Sequence, residues 1–289
     1  MPEQRRFIRV SPRHPCPICG KKKWCTLSAD GRVAYCMNTP NDRPCKNGSY
    51  AHRLDKPLEI KEPPKAEREY KIHPHEWMLR VEELKEKCTD ARCKSLANLL
   101  GVSTDSLRQM EVGWISEGKY AFPMRDGLLQ IIGVRIRQND GKKYCIRGSQ
   151  NGLFIPRKVL PTQNTPLLIC EGPTDCAAAL DIGLDAIGRP SCSGGVEMLK
   201  RFLRPKARDI IIMADNDKPH IRPDGSKWYP GQDGAIILAN SLQGIARSVC
   251  VIKPPKHKDL RQWLQDGLTK DAILALAKGG VVYVSANAL

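Results

Sequence analysis

Leu167-Leu168-Ile169-Cys170-Glu171-Gly172-Pro173-Thr174-Asp175 and Asp209-Ile210-Ile211-Ile212-Met213-Ala214-Asp215-Asn216-Asp217 decide how this chain folds. Each is a short apolar run that stops abruptly at carboxylates. Apolar residues without alternation, over so few positions, read as a strand buried on both faces. An open parallel sheet keeps its ligand crevice at the carboxyl ends of its strands. Glu171, Asp215 and Asp217 are therefore expected to meet there, from two strands. Three carboxylates in one crevice repel each other, so a cation belongs between them. An all-oxygen acidic donor set suits Mg²⁺ or Mn²⁺.

The surrounding sequence alternates strand and helix signals, which argues for a parallel sheet flanked by helices. An Ala-rich helix is expected over 174–183, a short strand at Ala186-Ile187-Gly188, and a helix over 196–203 opened by the turn Ser193-Gly194-Gly195. Residues 218–232 are polar and contain Pro and Gly, as an inserted loop would. A helix over 233–242, a strand over 248–252 and a helix over 259–265 complete an α/β domain assigned to 161–289.

Upstream, residues 73–160 form a mixed helical and β subdomain. Trp77, Leu79, Val81 and Leu84, then Leu96, Leu99 and Leu100, recur at helical spacings, and Gly101 reads as a helix stop. Helices packing together account for 73–112 more simply than a DNA-reading helix pair. A strand is expected over 128–137, where Ile132, Val134 and Ile136 alternate with Gly133, Arg135 and Arg137. With Lys143 and Arg147 after the Asp140-Gly141 turn, these arginines would line a basic face suited to phosphates; the plainer reading is a solvated sheet face.

Residues 11–54 look like a zinc ribbon. Cys16-Pro17-Ile18-Cys19-Gly20 is a metal knuckle, two thiolates on one tight turn. Asp30-Gly31 is a hairpin turn that sets Cys25 opposite Cys36, on one face. The metal ligands are then Cys16, Cys19, Cys36 and a fourth that is Cys25, or else Cys45 or His52. So short a hairpin lacks the core to fold alone, and a structural Zn²⁺ would supply the folding energy. Lys21-Lys22-Lys23-Trp24 beside the knuckle suits single-stranded nucleic acid or is a solvated loop. Residues 55–72, with Glu62-Pro63-Pro64-Lys65, form a Pro-rich charged linker that tethers this module.

The 289 residues carry a net charge of +16, which points to a polyanion partner, most simply nucleic acid. No apolar run of about 18 residues exists, so no membrane partner is expected, and no apolar core follows Met1-Pro2-Glu3-Gln4-Arg5-Arg6 as it would in a signal peptide. A cytoplasmic chain with reduced thiols is expected. Cys88, Cys93, Cys145, Cys170, Cys176, Cys192 and Cys250 lie scattered, mostly in apolar contexts, as small buried hydrophobes.

Glu171-Gly172-x-x-Asp175 followed by Asp215-x-Asp217 resembles the toprim domain of primases, topoisomerases and certain nucleases. The zinc ribbon with Cys16, Cys19 and Cys36, the stretch Ile132-Gly133-Val134-Arg135 through Lys143-Tyr144, Ser149 and Leu153-Phe154, and Lys258-Asp259-Leu260 make the chain similar to the bacterial DnaG-type primases and their phage or plasmid relatives. The resemblance spans Pro15 to Leu264. Two positions depart from it: Thr39 replaces a knuckle cysteine, and Arg261 stands where a further acid is usual. The resemblance implies an α/β toprim domain that makes RNA primers on a single-stranded DNA template from ribonucleoside triphosphates, with a replicative helicase as a possible partner. It also implies that Asp215 and Asp217 hold Mg²⁺ with help from Asp175 and Asp259. Glu171 would join the metal shell or act as general base, and Arg135, Arg137 and Lys143 would neutralise phosphates. A toprim nuclease, or a catalytically weak DNA-binding relative, is the alternative. No Walker phosphate loop appears, so no fused helicase is expected, and a mobile-element setting fits the small size.

Overall fold

The computed structural model describes residues 7–12, 14–45, 47–58, 72–222, 225–279 and 281–284. Residues 1–6 and most of the expected linker, 59–71, lie outside them. Two compact units are present: an N-terminal one that also takes in residues 219–228, and a larger one made of the rest from Tyr70 onward.

The N-terminal unit is an antiparallel sheet of β1 (Phe7–Arg9), β2 (Thr26–Ser28), β3 (Val33–Cys36) and β4 (Tyr50–Arg53), paired in that order. The β2–β3 turn is closed by Gly31 N donating to Ser28 O at 2.9 Å and by the Asp30 carboxylate, which accepts from Ser28 Oγ and Arg32 N. Gly31 adopts φ +68°, a left-handed conformation natural to glycine. The resulting register sets Thr26 against Tyr35 and Leu27 against Ala34. Its core is small: Val10, Leu27 and Ala34, with Cys16, Cys25 and Cys36.

The larger unit opens with three helices, α1 (Pro74–Glu86), α2 (Asp90–Leu100) and α3 (Thr104–Gln109). Thr89 and Ser103 cap α2 and α3 with side-chain oxygens, and Gly101 ends α2 at φ +68°. An antiparallel sheet follows: β5 (Gly113–Ser116), β6 (Lys119–Arg125), β7 (Ile131–Gln138) and β8 (Lys143–Cys145). β7 starts three residues later than the alternation alone suggests. The Asp126 carboxylate accepts from Leu128 N and Gln130 N, and Leu129 sits at φ 68°, so 126–130 form a turn instead of strand. Trp77 and Val81 of α1 bury against Ala121, Ile131 and Val134.

The central sheet then assembles from β9 (Leu167–Glu171), α4 (Gly172–Asp181), β10 (Asp185–Arg189), α5 (Val196–Leu203), β11 (Asp209–Met213), a short hairpin of β12 (His220–Ile221) and β13 (Lys227–Trp228), α6 (Pro230–Leu242), β14 (Ser248–Ile252), α7 (Leu260–Gln265), α8 (Lys270–Gly279) and β15 (Val281–Val284). Strand order is β10-β9-β11-β14-β15, parallel except for the last pair. The uniform apolar character of β9 and β11 has a direct cause. Leu168, Cys170, Ile211 and Met213 point into one core with α4 and the helices α2 and α3. Leu167, Ile169, Ile210 and Ile212 point into another, with Leu199 and Phe202 of α5 and Leu238 and Ala239 of α6.

Residues 73–160 and the α/β domain share the first of these cores, to which Phe122, Met124 and Phe154 contribute. Leu153 bridges to Arg125, and Phe154 to Gly188, so two consecutive residues tie the antiparallel sheet to β10. The expected loop 218–232 is the β12–β13 hairpin, and α6 starts at Pro230 because proline suits the first helical turn. Among the described residues no helix is long and apolar enough to cross a membrane. Of the scattered thiols, Cys93, Cys170, Cys176 and Cys250 are buried, whereas Cys88, Cys145 and Cys192 are half-buried.

Candidate active site and metal centres

Four elements bring the acids together. Glu171 ends β9 and stands half-buried, and Asp175 follows one turn into α4. α4 can start directly behind Glu171 because Gly172 turns the chain at φ +78°. Asp215 lies just past β11, where Ala214 N still donates to Ile252 O of β14 at 2.9 Å. Asn216 N donates to Lys258 O at 2.7 Å, pinning the segment that carries Asp259. Asp259 caps α7 by accepting from Gln262 N at 2.8 Å. At Gly231 a Cβ would fall 2.5 Å from Asp215 O, so the first turn of α6 rests directly on the backbone of the acidic loop.

Glu171, Asp175, Asp215 and Asp259 line one cavity of about 190 Å³, together with Arg135, Arg137, Lys143, Arg189, Lys258 and Arg261. Asp217 is not part of that lining; its Oδ2 accepts from Gly231 N at 3.1 Å. Its charge still reaches the cavity. Glu171 is pushed up by burial and then by Asp217. Burial, then the Asp259 charge, raises Asp175 to about 7. Burial, then Asp175 and Glu171, raises Asp215 to about 8. The shared causes are burial and mutual repulsion of like charges, a situation that a divalent cation relieves. The oxygen-only donors fit a hard divalent ion, although among the described residues they are spread more widely than a closed ligand cage.

Basic side chains share the lining. Arg135 and Arg137 project from β7, and their buried Nε atoms meet no hydrogen-bond partner among the described residues. Arg137 is lowered by burial and then by the charge of Arg261. Arg147 is exposed and does not line this cavity, so the structure brings three of the four expected phosphate-binding residues to the acids.

Two members escaped the sequence reading. Arg189 is buried at the end of β10, in register with Glu171, and donates from Nε to Gly194 O at 2.9 Å. Extending the strand-end rule to the third strand would have found it. Arg261, noted only as a departure, donates its backbone N–H to Asp175 Oδ1 at 3.0 Å, and its guanidinium donates to Leu100 O at 3.3 Å. Its charge thus lies beside the acid it is bonded to.

In the N-terminal unit, Sγ atoms of Cys16, Cys19, Cys25 and Cys36 all lie within 4.8 Å of one another. Zn–S bonds of about 2.3 Å in a tetrahedron put sulfurs about 3.8 Å apart. The Cys19–Cys25 and Cys25–Cys36 separations are 3.8 and 3.9 Å, so the thiols have the spacing of zinc ligands. Met37 N donates to Cys25 Sγ and Asn38 N to Cys36 Sγ, each at 3.4 Å, orienting the sulfurs from outside the shell. His52, a rival for the fourth position, instead bonds through Nε2 to Thr39 O at 2.9 Å, and Cys45 is not part of the cluster.

No protein-family model matches the sequence, and no curated protein matches it. Solved structures do match. A DnaG catalytic core shares 13% identity over 72% of this chain and 80% of its own, with a TM-score of 0.55. A DnaG primase catalytic domain bound to ssDNA shares 13% over 72% and 81%, with a TM-score of 0.53. The zinc-binding and RNA polymerase domains of the Aquifex aeolicus primase share 12% over 96% and 79%, with a TM-score of 0.52. The chain therefore has the fold of the DnaG-type primases, a toprim sheet with a zinc ribbon ahead of it.

Proposed function

We propose that this chain is a DNA primase, a nucleotidyltransferase that builds short RNA primers on single-stranded DNA from ribonucleoside triphosphates. One observation carries the reading: a single cavity is lined by four carboxylates together with Arg135, Arg137 and Lys143. Joining nucleotides requires a triphosphate held against a 3′-hydroxyl, and that substrate is itself a polyanion. Acids alone would repel it, and bases alone would bind it without activating it.

Asp215, Asp175, Asp259 and Glu171, with Asp217 beside them, would hold Mg²⁺ or Mn²⁺. When bound, the ions supply charge neutralisation at the triphosphate and its leaving pyrophosphate and acidify the attacking hydroxyl. The chain's own groups do the rest. Arg135, Arg137 and Lys143 neutralise phosphates of nucleotide or template. Glu171, raised by burial, serves as a metal ligand or as the base that takes the hydroxyl proton. Zinc is structural, and its ribbon would hold or sense the template. The single-stranded DNA on a protein of the same fold supports the template assignment. A replicative helicase is the partner such an activity would serve.

The test is direct. The protein is incubated with labelled single-stranded DNA, Mg²⁺ and ribonucleoside triphosphates. RNA oligomers are the expected product. Cleaved DNA would show a toprim nuclease instead, and DNA binding with neither product would show a relative that has lost the chemistry.

A further inference from the structure

We propose that the β12–β13 hairpin is a single-stranded DNA contact, a basic and aromatic ribbon inserted directly behind the acidic loop. The hairpin leaves the chain at Lys218, the residue after Asp217, and returns at Tyr229. The residues that flank it in sequence are bonded to each other: Gly231 N donates to Asp217 Oδ2 at 3.1 Å, and Gln232 Nε2 to Asp217 O at 3.3 Å. The ribbon is thus joined through the chain, one residue away, to Asp217.

The ribbon groups with the N-terminal unit, yet among the described residues it gives no side chain to that unit's apolar core. Its sheet has two strands, and an isolated two-stranded hairpin is marginal in water. His220, Ile221, Arg222 and Lys227 are exposed, Ile221 to 74%. Pairing sets His220 against Trp228 and Ile221 against Lys227. Side chains two apart share a face of a strand, so His220, Arg222 and Trp228 fall together and Ile221 and Lys227 fall on the other side. The first face carries its own organisation: the Arg222 guanidinium lies 5.0 Å from the centre of the Trp228 ring. A cation held over an aromatic ring offers phosphate contact and a base-stacking platform at once, the pairing that single-stranded nucleic acid selects. Duplex DNA hides its base faces and gives the indole nothing to stack on. The net charge of +16 supplies the complementary field.

This inference rests on the nucleic-acid part of the proposed function and not on catalysis, so it is tested without nucleotides. Binding of a labelled single-stranded oligodeoxynucleotide is measured across a salt series for the full chain, for Arg222→Gln, for Trp228→Ala, and for a chain with 219–228 replaced by a Gly-Ser linker. Zinc content and melting temperature are followed in parallel. The charge variant should lower the slope of log affinity against log salt by about 0.7, the value of one phosphate contact on a single strand. Trp228→Ala should weaken binding about tenfold with the slope kept, since stacking is not ionic. The same substitutions should leave duplex affinity closer to its starting value. If the three altered chains bind the single strand as the parent does, with its salt slope, the assignment is wrong. Arg222 is exposed and Trp228 half-buried, so the melting temperature separates a loss of contact from an unfolded variant. Loss of primer synthesis with DNA affinity unchanged would also overturn the assignment, while absence of synthesis in the parent would bear only on the catalytic reading.

Discussion

Glu171 is the only residue of its strand that is not fully buried, and its position follows from the strand's composition: four apolar side chains commit the backbone to the sheet, and the fifth emerges at the edge. The acids were legible for that reason. Their basic counterparts were less so, because Arg189 closes a run too short to stand out and Arg261 looks like a missing acid instead of a contributed charge. Glu171→Gln and Asp217→Asn are each expected to abolish primer synthesis while leaving single-stranded DNA affinity nearly intact, checked by primer-synthesis and DNA-binding assays on the same preparations. Glu111 makes a different residue-level prediction. It is 7% exposed and takes ion pairs from Arg125 and from Lys85, the latter at 3.2 Å. Burial alone would push it up, but the Arg125 and Lys85 charges outweigh burial and hold it below the usual value. A carboxyl depressed in the folded state contributes stability above its unfolded pKa of about 4.3, and the contribution fades as pH falls through the lower folded value. Glu111→Gln should therefore cost about 2 kcal/mol near neutral pH, with the gap to wild type closing in acid, as read by urea unfolding over a pH series.

At the scale of elements, the β2–β3 hairpin was readable because a two-residue turn fixes register arithmetically: once Asp30-Gly31 is the turn, Cys25 must face Cys36. The start of β7 was not, because the Asp126 side chain diverts the backbone into a turn that an alternating pattern does not reveal. Cys25→Ser should release zinc and unfold the ribbon, whereas Cys45→Ser should keep one zinc per chain, measured by metal analysis. In the central sheet, Gly188 is held by close approach: a Cβ there would lie 2.3 Å from Gly172 O, a backbone atom at the turn between Glu171 and α4. Gly188→Ala should cost about 1–3 kcal/mol in thermal unfolding. It should also reduce activity, because relief of the clash displaces the turn that sets Glu171 and Asp175.

For the whole molecule, strand–helix alternation gave the parallel sheet, and the two apolar faces of β9 and β11 explain why that reading was secure. Sequence spacing gave no sign that residues 73–160 share a core with the toprim sheet; that sharing depends on Leu153 and Phe154 bridging two sheets, a long-range pairing with no local pattern. Through it, β7 delivers Arg135 and Arg137 to the cavity that the acids line. We propose that these arginines and those acids form one divalent-metal site for a polyanionic substrate. Titration of Mn²⁺, followed by loss of the free-ion paramagnetic resonance signal, tests it most directly on the zinc-loaded full chain, with and without a ribonucleoside triphosphate. Binding should strengthen with the triphosphate, and most of it should be lost in Asp215→Asn and Asp175→Asn at unchanged zinc content. Mn²⁺ binding of wild-type strength in both variants would contradict it.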